Sequence, residues 1–293
     1  MGIDLKILYR GPLSSCNYDC GYCPFAKHHE TAAELAVDRK SLEQFVEWVL
    51  SRQNDRLSIF FTPWGEALTR PWYHDAFAKL SHCGHVAKTA VQTNLSFHLD
   101  WLSKCDLRRL GFWCTFHPSQ TNRKEFLQQC KKLYDQCVSF SVGMVGLKED
   151  INEARSLRAE LPDDVYMWIN AYKDEPDYYE ESDIQAFASI DPRFHDNLAN
   201  YPSLGKSCDA GSRVVSVNGN GDVSRCHFIK EKLGNLYKTE ITEMLSPRRC
   251  TKQTCECHIG YVHMPELQLH KIYGEGILER VPSASTQRCE AGN

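Results

Sequence analysis

Residues 5–23 read Leu5-Lys6-Ile7-Leu8-Tyr9-Arg10-Gly11-Pro12-Leu13-Ser14-Ser15-Cys16-Asn17-Tyr18-Asp19-Cys20-Gly21-Tyr22-Cys23. A short apolar run, Leu5–Tyr9, is broken by Gly11-Pro12 and passes into a polar, turn-rich loop with cysteines at C-x3-C-x2-C spacing. Three thiolates in one short loop can hold three irons of a [4Fe–4S] cube and leave the fourth iron open to another ligand. Buried cysteines acting as small hydrophobes suit so polar a loop poorly. A structural zinc site wants four ligands where this loop offers three sulfurs.

Beyond that loop the chain alternates short β-branched or aromatic runs with amphipathic segments. The runs read as strands at Leu5–Tyr9, Leu57–Thr62, Val86–Gln92, Leu110–Phe116, Val138–Val145 and Val165–Asn170. Helices are expected at Ser41–Gln53, Pro71–Cys83, Asp100–Cys105, Asn122–Asp135 and Glu149–Glu160; Ser41/Gln44 and Asn122/Glu125 stand at capping-box spacing. Six β-then-α units in series argue for parallel strands with helices outside, too few for a closed eight-unit barrel. A partial barrel or a doubly wound sheet fits, and in either the reactive site belongs at the carboxyl ends of the strands.

The chain has 293 residues, 42% hydrophobic and 25% charged, which suits one large α/β domain or a domain with an appendage. With 34 basic against 38 acidic side chains it carries no nucleic-acid footprint. Its fourteen cysteines come without a signal-like N-terminus or an apolar run long enough to span a membrane, so the reading is a cytoplasmic protein whose clustered cysteines bind metal.

The cysteine loop resembles the motif of the radical S-adenosylmethionine (radical SAM) enzymes, matching all three cysteines and the aromatic Tyr22 before the last. The six βα units agree with that family's partial (β/α)6 TIM-like barrel. Thr62-Pro63-Trp64-Gly65-Glu66 is similar to its Gly-Gly-Glu motif, with Trp64 in place of the first glycine. The resemblance implies that Gly65 and Glu66 hold the amino group of SAM. Gln92-Thr93-Asn94 resembles Thr-Asn-Gly, with Leu95 in the glycine place, and Ser141–Gly146 a GxIxG segment bordering adenine. Tyr22, Asn94, Ser141 and Asn170 are thereby implied SAM contacts. His117, at the end of the fourth strand, is a candidate catalytic residue, a structural role being the plainer reading.

Past Pro202 the character changes. Asn218-Gly219-Asn220-Gly221 between Arg213–Val217 and Asp222–Cys226 reads as a hairpin, and five cysteines follow one another at Cys208, Cys226, Cys250, Cys255 and Cys257. We place a barrel at residues 1–200 and a small cysteine-rich α+β domain at 201–293. Cys208 followed by Gly221-x4-Cys226 resembles the opening of the SPASM and twitch extensions, which implies one auxiliary [4Fe–4S] cluster. Cys208, Cys226, Cys255 and Cys257 are the expected ligands and Cys250 the alternate. His258 and His263 nearby keep a zinc site open. Cys83, Cys105, Cys114, Cys130, Cys137 and Cys289 lack metal spacing.

The resemblance implies reductive cleavage of SAM to a 5′-deoxyadenosyl radical that takes hydrogen from a substrate. An electron donor such as flavodoxin or ferredoxin would serve it, and neither nucleic acid nor membrane. The expected enzyme is an oxidoreductase or C–H-modifying catalyst, a monomer or weak homo-oligomer. A small-molecule substrate is preferred to a ribosomal peptide, because peptide-modifying relatives commonly add an N-terminal leader-binding segment and the barrel here begins near residue 5. The alternative outside enzymes is a zinc- or iron-binding regulatory protein.

Overall fold

The computed structural model describes residues 2–25 and 28–285; Cys289 lies outside them. Six parallel strands run Asp4–Arg10 (β1), Arg56–Phe61 (β2), Val86–Thr93 (β3), Leu110–Thr115 (β4), Ser139–Gly146 (β5) and Met167–Ala171 (β6). Each strand pairs with its successor, so chain order is spatial order. The helices between and after them are α1 (Ala32–Ser51), α2 (Pro71–Ser81), α3 (Arg123–Asp135), α4 (Ile151–Glu160), α5 (Glu181–Ala188) and α6 (Phe194–Leu198). This is the expected partial barrel.

Two helix readings are corrected. The first helix begins nine residues before Ser41, at Ala32: Thr31 caps it, its hydroxyl accepting from the Glu34 N–H at 3.3 Å while the Glu34 carboxylate accepts from the Thr31 N–H at 2.7 Å. Thr31-x-x-Glu34 has the same capping pattern as Ser41-x-x-Gln44, and the alanine-rich turn it opens favours helix from the start; Ser41 is buried inside. Asp100–Cys105 is not α-helix but a 3-10 turn over Asp100–Lys104.

The later elements are β7 (Tyr201–Pro202), β8 (Ser207–Cys208), β9 (Val214–Asn218), β10 (Asp222–Cys226), β11 (Ile229–Asn235), α7 (Ile241–Met244), β12 (Arg248–Arg249), β13 (Thr254–Cys255), α8 (His258–Tyr261) and α9 (Leu269–Tyr273). The expected hairpin is β9–β10, turning on Gly221 at φ +78°. It is continuous with the barrel: β9 pairs in parallel with β1, giving the order β11-β10-β9-β1-β2-β3-β4-β5-β6.

Strand alternation sends side chains to two cores. Ile7 and Tyr9 on β1 and Ile59 and Phe61 on β2 face the helices. Leu8, Phe60, Ala90, Trp113, Trp168 and Val214 face inward, where the C-terminal segment packs with Tyr261, Leu269, Tyr273, Ile277 and Leu278. An open barrel leaves its inner apolar face to be covered, and residues 258–281 cover it. They bring buried charge: Glu279 pairs with Lys88 at 2.8 Å and bonds Ser139. Arg280 lies 5.4 and 4.8 Å from the Trp113 and Trp168 ring centroids.

Candidate active site

The cysteine loop leaves the carboxyl end of β1 and is held at its base by backbone. The Trp64 and Glu66 N–H groups donate to the Leu13 and Ser15 carbonyls, each at 3.1 Å. A Cβ on Gly65 would stand 1.9 Å from the Ser15 oxygen, so only glycine lets the β2 exit lie against the loop. Asp38 of α1 accepts from Leu13 N–H, Trp72 and Tyr73, tying the loop to two helices. Glu30 accepts from the Ser14 and Ser15 N–H groups.

Within the loop the Cys23 N–H donates to the Cys20 carbonyl at 3.1 Å, closing a turn. The Cys16 sulfur receives the Tyr18 N–H at 3.4 Å and the Asn94 amide at 3.7 Å. His117 reaches the loop from beyond β4: its Nδ1 shares a hydrogen bond with the Tyr22 hydroxyl at 2.6 Å and lies 3.4 Å from the Cys20 sulfur. Burial lowers its pKa to about 4, so the ring is neutral at pH 7. This geometry makes His117 a support for Cys20 and Tyr22.

Glu66 is the carboxylate of the site. Its oxygens accept from the Leu68 N–H at 3.1 Å, the Thr93 hydroxyl at 2.8 Å and the Asn94 N–H at 2.7 Å. Burial nevertheless raises its pKa to about 7, the three hydrogen bonds pulling the other way. Leu95, which fills a glycine place in the motif, adopts φ +57°, the left-handed conformation a glycine there would take freely.

These groups line one cleft of about 320 Å³ at the carboxyl ends of the strands. Cys16, Cys20, Cys23, Tyr22, Gly65, Glu66, Asn94, His117 and Asn170 all meet there. Ser141 does not: fully buried in the first half of β5, it donates to the Glu279 carbonyl at 2.6 Å and accepts from Trp168 at 3.0 Å. Val145, four residues on, is the β5 residue that reaches the cleft, about 13 Å farther along the strand.

Sequence reasoning missed several walls of the cleft: Arg10, Trp64, Trp113, Thr115, Trp168 and Cys257. Arg10 stacks on Trp64, its guanidinium carbon 3.9 Å from the ring centroid, and Trp64 packs on Phe25. The available signal was period two, since Trp113 and Trp168 stand two residues before Thr115 and Asn170 on the same strand faces.

The five C-terminal cysteines surround a second cavity of about 90 Å³, with Ala210, Phe228 and Met264 among its apolar walls. Pairing of β8 with β12 sets Cys208 opposite Arg248, and pairing of β7 with β13 sets Cys255 opposite Tyr201. Thiol electrostatics link Cys208, Cys226, Cys250 and Cys255 to one another in every pairing. Burial pushes the Cys255 thiol up to about 12, the neighbouring sulfurs adding to it. His263 lines this cavity and His258 the other. Among the described residues no group of three or more His, Cys, Asp and Glu side chains is gathered to hold a single metal ion.

Arg225 lies against this ring with 1% of its surface exposed. It donates to the Arg248 and Arg249 carbonyls, its Nε has no partner among the described residues, and its charge acts on Cys208 and Cys226. A guanidinium so deeply buried calls for a counter-charge, which cluster-bound thiolates would supply. The donor sets of both sites therefore fit iron–sulfur clusters.

No protein-family model and no curated protein sequence matches the chain. Among solved structures it is similar to native anSMEcpe with bound AdoMet and Kp18Cys peptide, with a TM-score of 0.56 and 13% identity over 96% of this chain and 89% of that one. It is also similar to native anSMEcpe with bound AdoMet, with a TM-score of 0.55 and 14% identity over 82% of this chain and 80% of that one. At such identities the likeness is one of fold. No helix among the described residues is long and apolar enough to cross a membrane.

Proposed function

We propose that this chain is a radical SAM enzyme whose cluster is held by Cys16, Cys20 and Cys23, with SAM in the cleft beside it. One observation carries the reading: the three cysteines and the buried carboxylate of Glu66 open into the same cleft at the carboxyl ends of parallel strands. The fold shared with a protein that binds AdoMet supports it. When bound, the cluster and SAM together supply a 5′-deoxyadenosyl radical by one-electron cleavage.

The chain's own residues prepare that chemistry. Glu66, positioned by Thr93, Asn94 and Leu68, offers a carboxylate to the SAM ammonium. The N–H groups of Tyr18 and Asn94 stabilise charge on the Cys16 sulfur. Trp113, Trp168 and the Arg10–Trp64 stack wall the cleft with aromatic surface that restricts water. Tyr22, Gly65 and Asn170 complete its SAM-facing lining.

We place one auxiliary [4Fe–4S] cluster on Cys208, Cys226, Cys250 and Cys255, which favours Cys250 over Cys257 as the fourth ligand. The buried Arg225 against that ring is its support. A small molecule is the proposed substrate, transformed by hydrogen abstraction, and a flavodoxin or ferredoxin the proposed electron source in a reducing cytoplasm.

The test is anaerobic purification, iron and sulfide counting, and incubation with SAM and dithionite. About eight irons with formation of 5′-deoxyadenosine supports the whole reading. About four, all lost on Cys16→Ala, removes the auxiliary cluster. Bound zinc without visible absorption or SAM cleavage favours the regulatory metal-binding alternative.

A further inference from the structure

Cys257 differs from the other four C-terminal cysteines in where it stands. All five line the small cavity, but Cys257 also lines the cleft of Cys16, Cys20 and Cys23, in the wall between the two. As a residue it is exposed, whereas Cys208, Cys226, Cys250 and Cys255 are half-buried. Every pair among those four interacts, while Cys257 is joined to the set through Cys255, so the four by themselves supply the ligands of one cube. A fifth sulfur is surplus to one cube.

One contact anchors the segment beside the cleft. Lys173 ties the segment to the end of β6 by donating to the Glu256 carbonyl at 3.0 Å and the Ala199 carbonyl at 2.9 Å. The next residue, His258, is 3% exposed and lines the same cleft. Its Nδ1 is 3.4 Å from the Tyr261 hydroxyl while its Nε2 has no partner among the described residues. The unpartnered buried nitrogen of His258, in the same wall as Cys257, marks that wall as a place where a polar molecule docks.

We propose that Cys257 is a hydrogen-atom donor of the cleft and not a ligand of the auxiliary cluster. An S–H bond is weaker than most C–H bonds, so a carbon-centred radical held against the thiol takes its hydrogen: S–H breaks and C–H forms. The sulfur-centred radical left behind is restored by one electron from a low-potential carrier protein and one proton from solvent. The substrate class this serves is one whose carbon radical is quenched rather than oxidised, so the net change at carbon is redox-neutral. The inference rests on the radical SAM reading above.

The experiment needs no substrate. Anaerobically loaded wild-type, Cys257→Ala and Cys257→Ser proteins are incubated with SAM and dithionite in D2O, where a thiol exchanges its hydrogen, and the deuterium in 5′-deoxyadenosine is read by mass spectrometry. Iron content is counted in each, and N-ethylmaleimide labelling of the peptide containing residue 257 is compared with and without SAM. The expected result is deuterated product from wild type and its loss in both variants. Full iron in the variants and labelling of wild type that SAM blocks are also expected. Equal deuteration in all three overturns the donor role, and loss of half the iron in Cys257→Ala overturns the non-ligand assignment. If wild type cleaves no SAM, the radical SAM reading falls with it; cleavage with unchanged deuteration sinks the Cys257 proposal alone.

Discussion

The Cα of Gly65 and the carbonyl oxygen of Ser15 approach so closely that a Cβ on residue 65 would lie 1.9 Å from that oxygen. The strand exit carrying Glu66 and the loop carrying Cys16 are therefore one unit, locked by the Glu66 N–H donation to the same oxygen at 3.1 Å. Gly65→Ala forces them apart at a cost of about 1–3 kcal/mol. Iron counting is expected to show loss of the cluster on Cys16, Cys20 and Cys23 while the auxiliary iron stays.

If SAM sits in the cleft as proposed, Glu66 is expected to set a pH dependence on its binding. Its pKa is raised by burial to about 7, so in the free protein the carboxylate that would meet the SAM ammonium grows in as pH rises through 7. Affinity for SAM, measured by calorimetry or equilibrium dialysis, is expected to fall about tenfold for each pH unit below that point and to level off above it. Glu66→Gln is expected to bind weakly with a flat profile. The same raised pKa means that Glu66 favours the folded state below its unfolded value and that this contribution fades as pH climbs from 4.5 toward 7.

Removing Arg225 tests the proposed auxiliary cluster independently of Cys257. Arg225→Leu removes the guanidinium donors to the carbonyls of Arg248 and Arg249 and takes away the buried positive charge beside Cys208 and Cys226. Iron is expected to drop from about eight to about four per chain. Cleavage of SAM to 5′-deoxyadenosine should persist, since the first loop is untouched.

The inner plug of the barrel depends on a buried ion pair, Lys88 with Glu279, whose side chains are 13% and 0% exposed. Lys88→Met strands the carboxylate and is expected to lower unfolding free energy by about 3–5 kcal/mol in denaturant melts. Adding Glu279→Gln should recover much of that loss, because the stranded charge and not the missing attraction carries the cost.

Capping offers a smaller, local check on the first helix. Thr31→Ala removes the side-chain acceptor for the Glu34 N–H and is expected to cost about 1 kcal/mol. Ser41→Ala, inside the helix, should cost less.

Strand positions, the three-cysteine loop and the motif around Glu66 were legible because each depends on residues a few positions apart. A short continuous run of apolar and aromatic residues marks Leu110–Thr115 or Met167–Ala171 as extended whatever lies beside it. The reading failed where two local patterns competed, as with Thr31 and Ser41, both of which begin a capping box. It also failed where a motif gave a strand but not a depth. Ser141 and Val145 lie on one strand, and only the distance along it separates a residue under the plug from one in the cleft.

Backbone turns within one short stretch bring Cys16, Cys20 and Cys23 together, and Glu30, Asp38 and His117 hold that stretch at the mouth of the barrel. The division of labour among the later cysteines needed the folded whole. Cys250 and Cys257 look equivalent in a list of spacings and both line the small cavity, yet only Cys257 also meets a cleft built by the first half of the chain. That difference arises because β9 pairs with β1 and residues 258–281 fill the barrel's inner face. Contacts between segments so far apart leave no periodic trace along the chain, and only packing brings them into register.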